Sequence, residues 1–454
     1  MTDERASAEH KGSVVAALML ATGLAAIDST IVATAIPQIV GDLGGFSKFP
    51  WVFSIYLLTQ AVTVPIYGRL SDVYGRKPIL LLGIGGFLVA SVLCGVAWSM
   101  VSLIVFRGVQ GIAAGAILPM TTTIVGDLYE PAERGKIQGY ISSVWGVSAV
   151  AAPTLGGVFA EYWTWRGIFF LNIPIGIGAA WLVHRHLHER VERRERHRID
   201  VAGVVTLTLG LSLLILALLE GGVSWAWTST PSVVLLVVAV TLLCSFVAIE
   251  RRVAEPILPL WVFQRRTLVA GNLAGLAIGA IIIGQTSYVP IYAQKVVGVG
   301  AVVAGLSMAA MTIGWPIAAT AAPRVYLRFG YRATAVAGSV LAVAGCALFV
   351  VFVHADSGVW RVAVASFVIG IGMGWASVST VVAIQSDVEW RDRGVATGTA
   401  MFLRSLGSAV GIAVFGSVFN NHRSIYGGVH AVFIGLVVTA LLMLLTVIPL
   451  PARE

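Results

Sequence analysis

The sequence predicts an all-α membrane protein of fourteen spans: two six-helix bundles related by a pseudo-two-fold axis, with two extra transmembrane helices in the central linker. Three observations lead there. Of the 454 residues, 57% are hydrophobic and 11% charged, so lipid is the solvent for most of the chain. The apolar residues fall in runs of about 20 or more, the length that crosses a bilayer as a helix. A charged turn after the second run is echoed at the equivalent place in the second half.

In chain order the runs cover roughly 13–38, 51–72, 78–98, 101–126, 134–160, 165–184, 199–219, 231–250, 268–294, 300–320, 331–353, 362–384, 394–418 and 427–449. The first is too long for a cleavable signal and lacks a small-residue cleavage site. The runs do not alternate apolar with polar over short lengths, as the strands of a barrel would. The first six make one bundle, residues 1–190. A basic linker and spans seven and eight follow in 191–266. These two spans hold few polar residues and read as a peripheral hairpin. The last six spans make the second bundle, residues 267–454.

A net charge of +8 could mean a nucleic-acid partner, but its distribution says otherwise. An even number of spans puts both termini on one side. With that side cytoplasmic, Lys48, Arg166, Lys295, Arg361 and Arg423 lie opposite, and Arg107 and Arg404 fall inside spans. The rest of the 30 Lys and Arg lie in cytoplasmic loops and tails, among them Arg134, Lys136 and the run at 185–198. This is the positive-inside pattern, so the charge records orientation in the cytoplasmic (inner) membrane and implies no nucleic acid. Trp51, Trp98, Trp163, Trp165, Trp225, Trp227 and Trp360 sit near outer ends, as an interfacial belt would. Cys94, Cys244 and Cys346 lie in apolar runs and imply no disulfide framework. His184 and His188 have a metal-compatible spacing, but the arginines around them oppose a cation and no metal is expected.

The turn at 68–77 concentrates Arg69, Asp72, Arg76 and Lys77 between Gly68 and Gly75. The glycines permit a tight reversal, and Asp72 can pair with a neighbouring Arg or act at a helix end. In the second half Arg324, Gly330 and Arg332 repeat Arg69, Gly75 and Lys77 at one constant offset, while Leu327 replaces Asp72. Arg134 and Gly135 similarly align with Arg393 and Gly394. Two parallel halves are the transporter architecture this repeat suggests.

Residues 68–77 resemble the signature between the second and third spans of the major facilitator superfamily. Asp28-Ser29-Thr30-Ile31-Val32-Ala33-Thr34-Ala35-Ile36-Pro37 resembles the first-span motif of its fourteen-span drug:proton antiporters. Arg107-Gly108-Val109-Gln110-Gly111 is similar to the fourth-span motif. Gly146 through Pro153-Thr154-Leu155-Gly156-Gly157 is similar to the fifth-span antiporter motif, with Ala152 where that motif usually has Gly. The resemblance covers essentially the whole chain. It implies multidrug efflux of the kind that underlies antibiotic resistance, a role for Arg107 in proton transfer, and a gate at the charged turn and the fifth span.

The residues carry their own reading. Asp28 is the one acidic residue near the middle of a run. A carboxylate at that depth costs several kcal/mol, so it faces a cavity or a partner. Arg107 is its natural partner, with a side chain long enough to reach toward the midplane. Protonation of Asp28 would then weaken the pair and couple protons to transport; the alternative is a static pair that holds helices together. Arg404 is a second intramembrane charge, able to attract an anionic group, to balance Asp28, or simply to bond carbonyls. Gln60, Gln110, Trp145, Asn172, Gln285, Tyr288, Trp315 and Trp375 supply the aromatic faces and scattered amides of a substrate cavity, or else ordinary packing. Gly146, Pro153, Gly156 and Gly157 suit helices that seal and separate.

The expected activity is proton-coupled antiport of amphipathic small molecules by alternating access, with the proton gradient as energy source and no bound cofactor. The chain's own two-fold repeat suits a functional monomer in the bilayer. Export of a lipid or native metabolite by the same cycle is the alternative. An integral membrane enzyme would need a catalytic cluster near one face, and only the histidines of 184–197 offer one. Gly370-Ile371-Gly372-Met373-Gly374 lies within a span and follows no soluble strand, so it is not read as a nucleotide loop.

Overall fold

In lipid every backbone N–H and C=O must be paired within its own segment, so the apolar runs are helical. The computed structural model describes residues 2–44, 48, 50–189, 200–221, 225–253, 256, 258, 260–299, 301–354 and 358–452. Its helices are α1 (Thr2–Leu43), α2 (Pro50–Tyr74), α3 (Arg76–Gly95), α4 (Met100–Leu128), α5 (Pro131–Tyr162), α6 (Gly167–Phe170), α7 (Asn172–His186), α8 (Val201–Glu220) and α9 (Thr230–Glu250). Then come α10 (Arg266–Ile291), α11 (Ala301–Phe329), α12 (Tyr331–Phe352), α13 (Val359–Ser386), α14 (Arg393–Asn420) and α15 (Ile425–Val447). A helix stands at each of the fourteen positions expected from sequence. Among the described residues, twelve are long and apolar enough to cross a membrane, with α6 and α7 counted together. The apolar stretch of α8, Ala202–Leu218, is shorter.

The chain divides into two compact units. One comprises Met1–Val125 and Val144–Ile199; the other comprises Gly126–Ser143 and Asp200–Glu454. In the first, α7 packs along α1 and α3, and α2 packs on α3. Ile31, Val52, Cys94, Leu103, Trp165 and Phe169 meet in its core. In the second, α14 and α15 pack along α10, α13 along α11 and α12, and α15 along α12. The α8–α9 hairpin packs on itself and, through α8, on α14. Asp200 starts the hairpin by accepting the Gly203 N–H at 2.9 Å, which satisfies one of the free donors of that helix end. Exposed Val233, Val237 and Val240 on α9 present an apolar face suited to lipid.

The two charged turns have the same backbone. Gly75 and Gly330 take φ of 94° and 88°, a left-handed conformation that a Cβ disfavours. The Gly75 N–H donates to the Ser71 carbonyl at 2.9 Å, and Gly330 N–H to Tyr326 at 2.8 Å. Each glycine ends one helix and opens the next, so the repeat seen in sequence is also a repeat of geometry.

Trp165 departs from the interfacial belt. It is 1% exposed, whereas Trp98 is 74% exposed. Its indole N–H donates to Asp42 at 2.8 Å, a pairing across 123 residues that draws the ring into the core.

Candidate functional site: a buried carboxylate–guanidinium network

Five helices of the first unit converge on Asp28, which is 0% exposed. Arg107 and Gln110 stand three residues apart on α4, and therefore on one face of it. The α4 backbone is held to α2 by the Thr59 hydroxyl, which donates to the Gly108 carbonyl at 2.9 Å. From this position Arg107 Nη1 reaches Asp28 Oδ2 at 2.5 Å. The other carboxylate oxygen, Oδ1, accepts from Gln110 Nε2 and from Asn172 Nδ2 of α7, both at 3.0 Å.

A second layer fixes the donors. Ser91 Oγ on α3 accepts from the same two amides, at 2.8 Å from Gln110 and 3.0 Å from Asn172. Gln110 Oε1 accepts from Arg107 Nη1 at 2.7 Å and faces Cys94 Sγ at 3.7 Å. Arg107 Nε donates to the Val52 carbonyl at 3.3 Å. The Tyr56 ring lies 4.2 Å from the guanidinium carbon, a cation–π contact. The pair is thus short, hydrogen-bonded and closed from solvent, the condition under which a buried ion pair repays its desolvation. Removing either charge would strand the other, at a cost of about 3–5 kcal/mol.

Asp28 and Arg107 meet as their residue types suggested. Gln110 and Asn172 were grouped with the substrate cavity; the structure instead buries both fully against Asp28. Tyr56, Ser91 and Cys94 complete the site without a sequence signal beyond being polar or aromatic in apolar runs. The remaining cavity candidates are dispersed. Gln60, Trp315, Trp375 and Arg404 are half-buried, Gln285 and Tyr288 are buried, and Trp145 is 38% exposed.

At the charged turn, Asp72 pairs with Arg76 at 2.9 Å, and Arg76 Nη1 donates to the Ser71 carbonyl at 3.1 Å. Glu189, which follows α7, accepts the backbone N–H groups of Arg76 and Lys77, each at 2.9 Å. Lys77 Nζ returns a bond to the His184 carbonyl at 2.7 Å. A carboxylate on the first N–H groups of a helix also meets the positive end of its dipole. Gly68 is buried and Arg69 half-buried; on α5, Gly146 is half-buried and Gly156 buried. Pro153 and Gly157 lie within α5 as well. The second unit has its own polar cluster beside its copy of the turn. Arg393 Nη1 donates to the Gly126 carbonyl at 2.9 Å and pairs with Asp127 at 3.3 Å, and the Tyr326 hydroxyl donates to the Pro131 carbonyl.

A family model described as Major Facilitator Superfamily matches residues 18–412. The chain belongs to the Major Facilitator Superfamily. It is a multi-pass membrane transporter, and family and fold point away from an enzyme. This major facilitator is 35% identical over 409 residues to the multidrug transporter protein MdtP of Bacillus subtilis (strain 168), covering 90% of this chain and 75% of that protein. It is 36% identical over 408 residues to multidrug resistance protein 3 of the same organism, covering 90% and 79%. The crystal structure of the human organic anion transporter MFSD10 (TETRAN) matches 96% of this chain and 99% of its own, with a TM-score of 0.70 at 16% identity, a likeness of fold alone.

Proposed function

We propose that this transporter exports amphipathic small molecules, such as drugs, antibiotics and biocides, in exchange for protons by alternating access. The observation that carries the reading is the convergence of Arg107, Gln110 and Asn172 on Asp28 deep within the first unit. The donors found on this carboxylate are all N–H groups. A proton arriving on Oδ2 would cancel the charge that Arg107 pairs and would occupy the position where Nη1 now donates. The network would have to rearrange, and rearrangement linked to protonation is what coupling requires. The names of the bacterial relatives, a multidrug transporter and a multidrug resistance protein, support drugs as the substrate class.

In this reading the protein has fourteen spans, sits in the cytoplasmic membrane with both termini cytoplasmic, and works as a monomer. Asp28 and Arg107 couple protons. Gly68, Arg69, Asp72, Gly75, Arg76 and Lys77, with Gly146, Pro153, Gly156 and Gly157, gate the path. Gln60, Trp145, Gln285, Tyr288, Trp315, Trp375 and Arg404 contact substrate; Gln110 and Asn172 serve Asp28. A susceptibility screen in an efflux-deficient host tests the whole. Expression should raise the tolerated concentration of several amphipathic compounds, and Asp28→Asn should abolish the gain. Equal tolerance with and without the chain would contradict export.

A further inference from the structure

Arg404 lies about eleven residues into α14, roughly 16 Å along the helix at 1.5 Å per residue. That is close to the middle of this 28-residue helix. Its backbone is locked against α10. A Cβ added to Gly279 would lie 1.9 Å from the Arg404 carbonyl oxygen, so only glycine allows this approach. The next turn is tied by the Ser408 hydroxyl, which donates to the Gly279 carbonyl at 3.0 Å. From this fixed base the side chain runs to α11, where its guanidinium carbon stands 5.0 Å from the Trp315 ring centroid.

No ion pair or hydrogen bond from this guanidinium is found among the described residues, and the residue is only half-buried. A guanidinium carries five N–H donors in a planar fork, and the ring can satisfy none of them by hydrogen bonding. Trp315 therefore supports the cation and leaves the donors for something that is not protein. Other polar groups of the same unit are also unspent: the Trp375 indole N–H and both amide atoms of Gln285 are buried with no partner among the described residues. Ionisable residues within spans face the bundle interior or a water-filled cavity and mark substrate or ion paths.

We infer that Arg404 and Trp315 form an anion-binding subsite, and that the substrates include amphipathic organic anions whose carboxylate, sulfonate or phosphate group takes the guanidinium fork. This deepens the export reading and rests on it for its biological sense. Binding and transport nevertheless fail separately. Carboxyfluorescein binding to the purified full chain in detergent, followed by fluorescence anisotropy, tests the subsite without any gradient. Arg404→Gln should weaken binding at least tenfold. Arg404→Lys, which keeps the charge and loses the fork, should fall between. Ethidium binding should change less than twofold, and thermal unfolding midpoints show whether each variant is folded. Unchanged carboxyfluorescein affinity in folded Arg404→Gln, or equal losses for both dyes, would overturn the subsite. Added phosphatidylglycerol should leave the dye bound; displacement would reassign the site to a lipid and overturn a soluble solute. Efflux of the same dyes from proteoliposomes under an imposed pH gradient then tests export. Arg404-dependent binding without efflux would sink export and leave the subsite standing.

Discussion

The two intramembrane arginines of this chain have opposite surroundings. Arg107, in the first unit, is 1% exposed and is met by a carboxylate, an amide oxygen, a carbonyl and an aromatic face. Arg404, in the second, is half-buried and has a ring but no acceptor among the described residues. The same side chain within a span therefore meets two different environments. A charge that is fully paired within the protein can only respond to something that changes the pair, and a proton on Asp28 is the simplest such event. A charge left without an acceptor responds to whatever solute brings one.

Stability measurements break or sharpen this contrast. The largest effect belongs to Arg107→Gln, which strands the Asp28 carboxylate and should destabilise the purified protein by about 3–5 kcal/mol. Arg404→Gln strands nothing and should stay within about 1 kcal/mol, since the cation–π contact is all it loses. Equal losses in chemical denaturation would erase the distinction. Next come the amide donors. Asn172→Leu removes its bond to the Asp28 carboxylate and its bond to Ser91, and should cost at least about 1.5–3 kcal/mol; Gln110→Leu, which also removes the acceptor for Arg107, should cost more. Each should also change the pH dependence of transport more than Gln285→Leu does, because Gln285 touches no charge. The smallest effect separates the ring of Tyr56 from its hydroxyl. That hydroxyl has no partner among the described residues, so Tyr56→Phe should stay within about 0.5 kcal/mol of wild type. Tyr56→Leu, which removes the aromatic face under Arg107, should cost about 0.5–2 kcal/mol more in the same melts.

Much of this was legible in the chain. Long apolar runs leave the backbone one solution, so they are helical, and among the described residues twelve helices are long and apolar enough to cross a membrane. Asp28 and Arg107 were conspicuous because charge in lipid is costly and needs a partner. The repeat of Gly75 in Gly330 was legible because one left-handed turn constrains the residue that can make it. Other features depended on packing across distant segments. Ser91 and Cys94 look like any small residues in a span until α3 is set beside α4. Gln110 and Asn172 read as cavity amides because nothing local announces that both aim at one carboxylate. Trp165 read as an interfacial anchor because its partner, Asp42, lies on another helix. Arg404 and Trp315 were each singled out, but their pairing required α11 to be set beside the Arg404 side chain of α14.

The most direct test of the central claim is proton-driven uphill transport by Asp28→Asn in proteoliposomes under an imposed pH gradient. The double variant Asp28→Asn/Arg107→Gln, which leaves no stranded charge, guards against simple misfolding. The account predicts that both variants bind substrate, equilibrate it at most, and fail to concentrate it. Accumulation against a gradient by folded Asp28→Asn at the wild-type rate would contradict it.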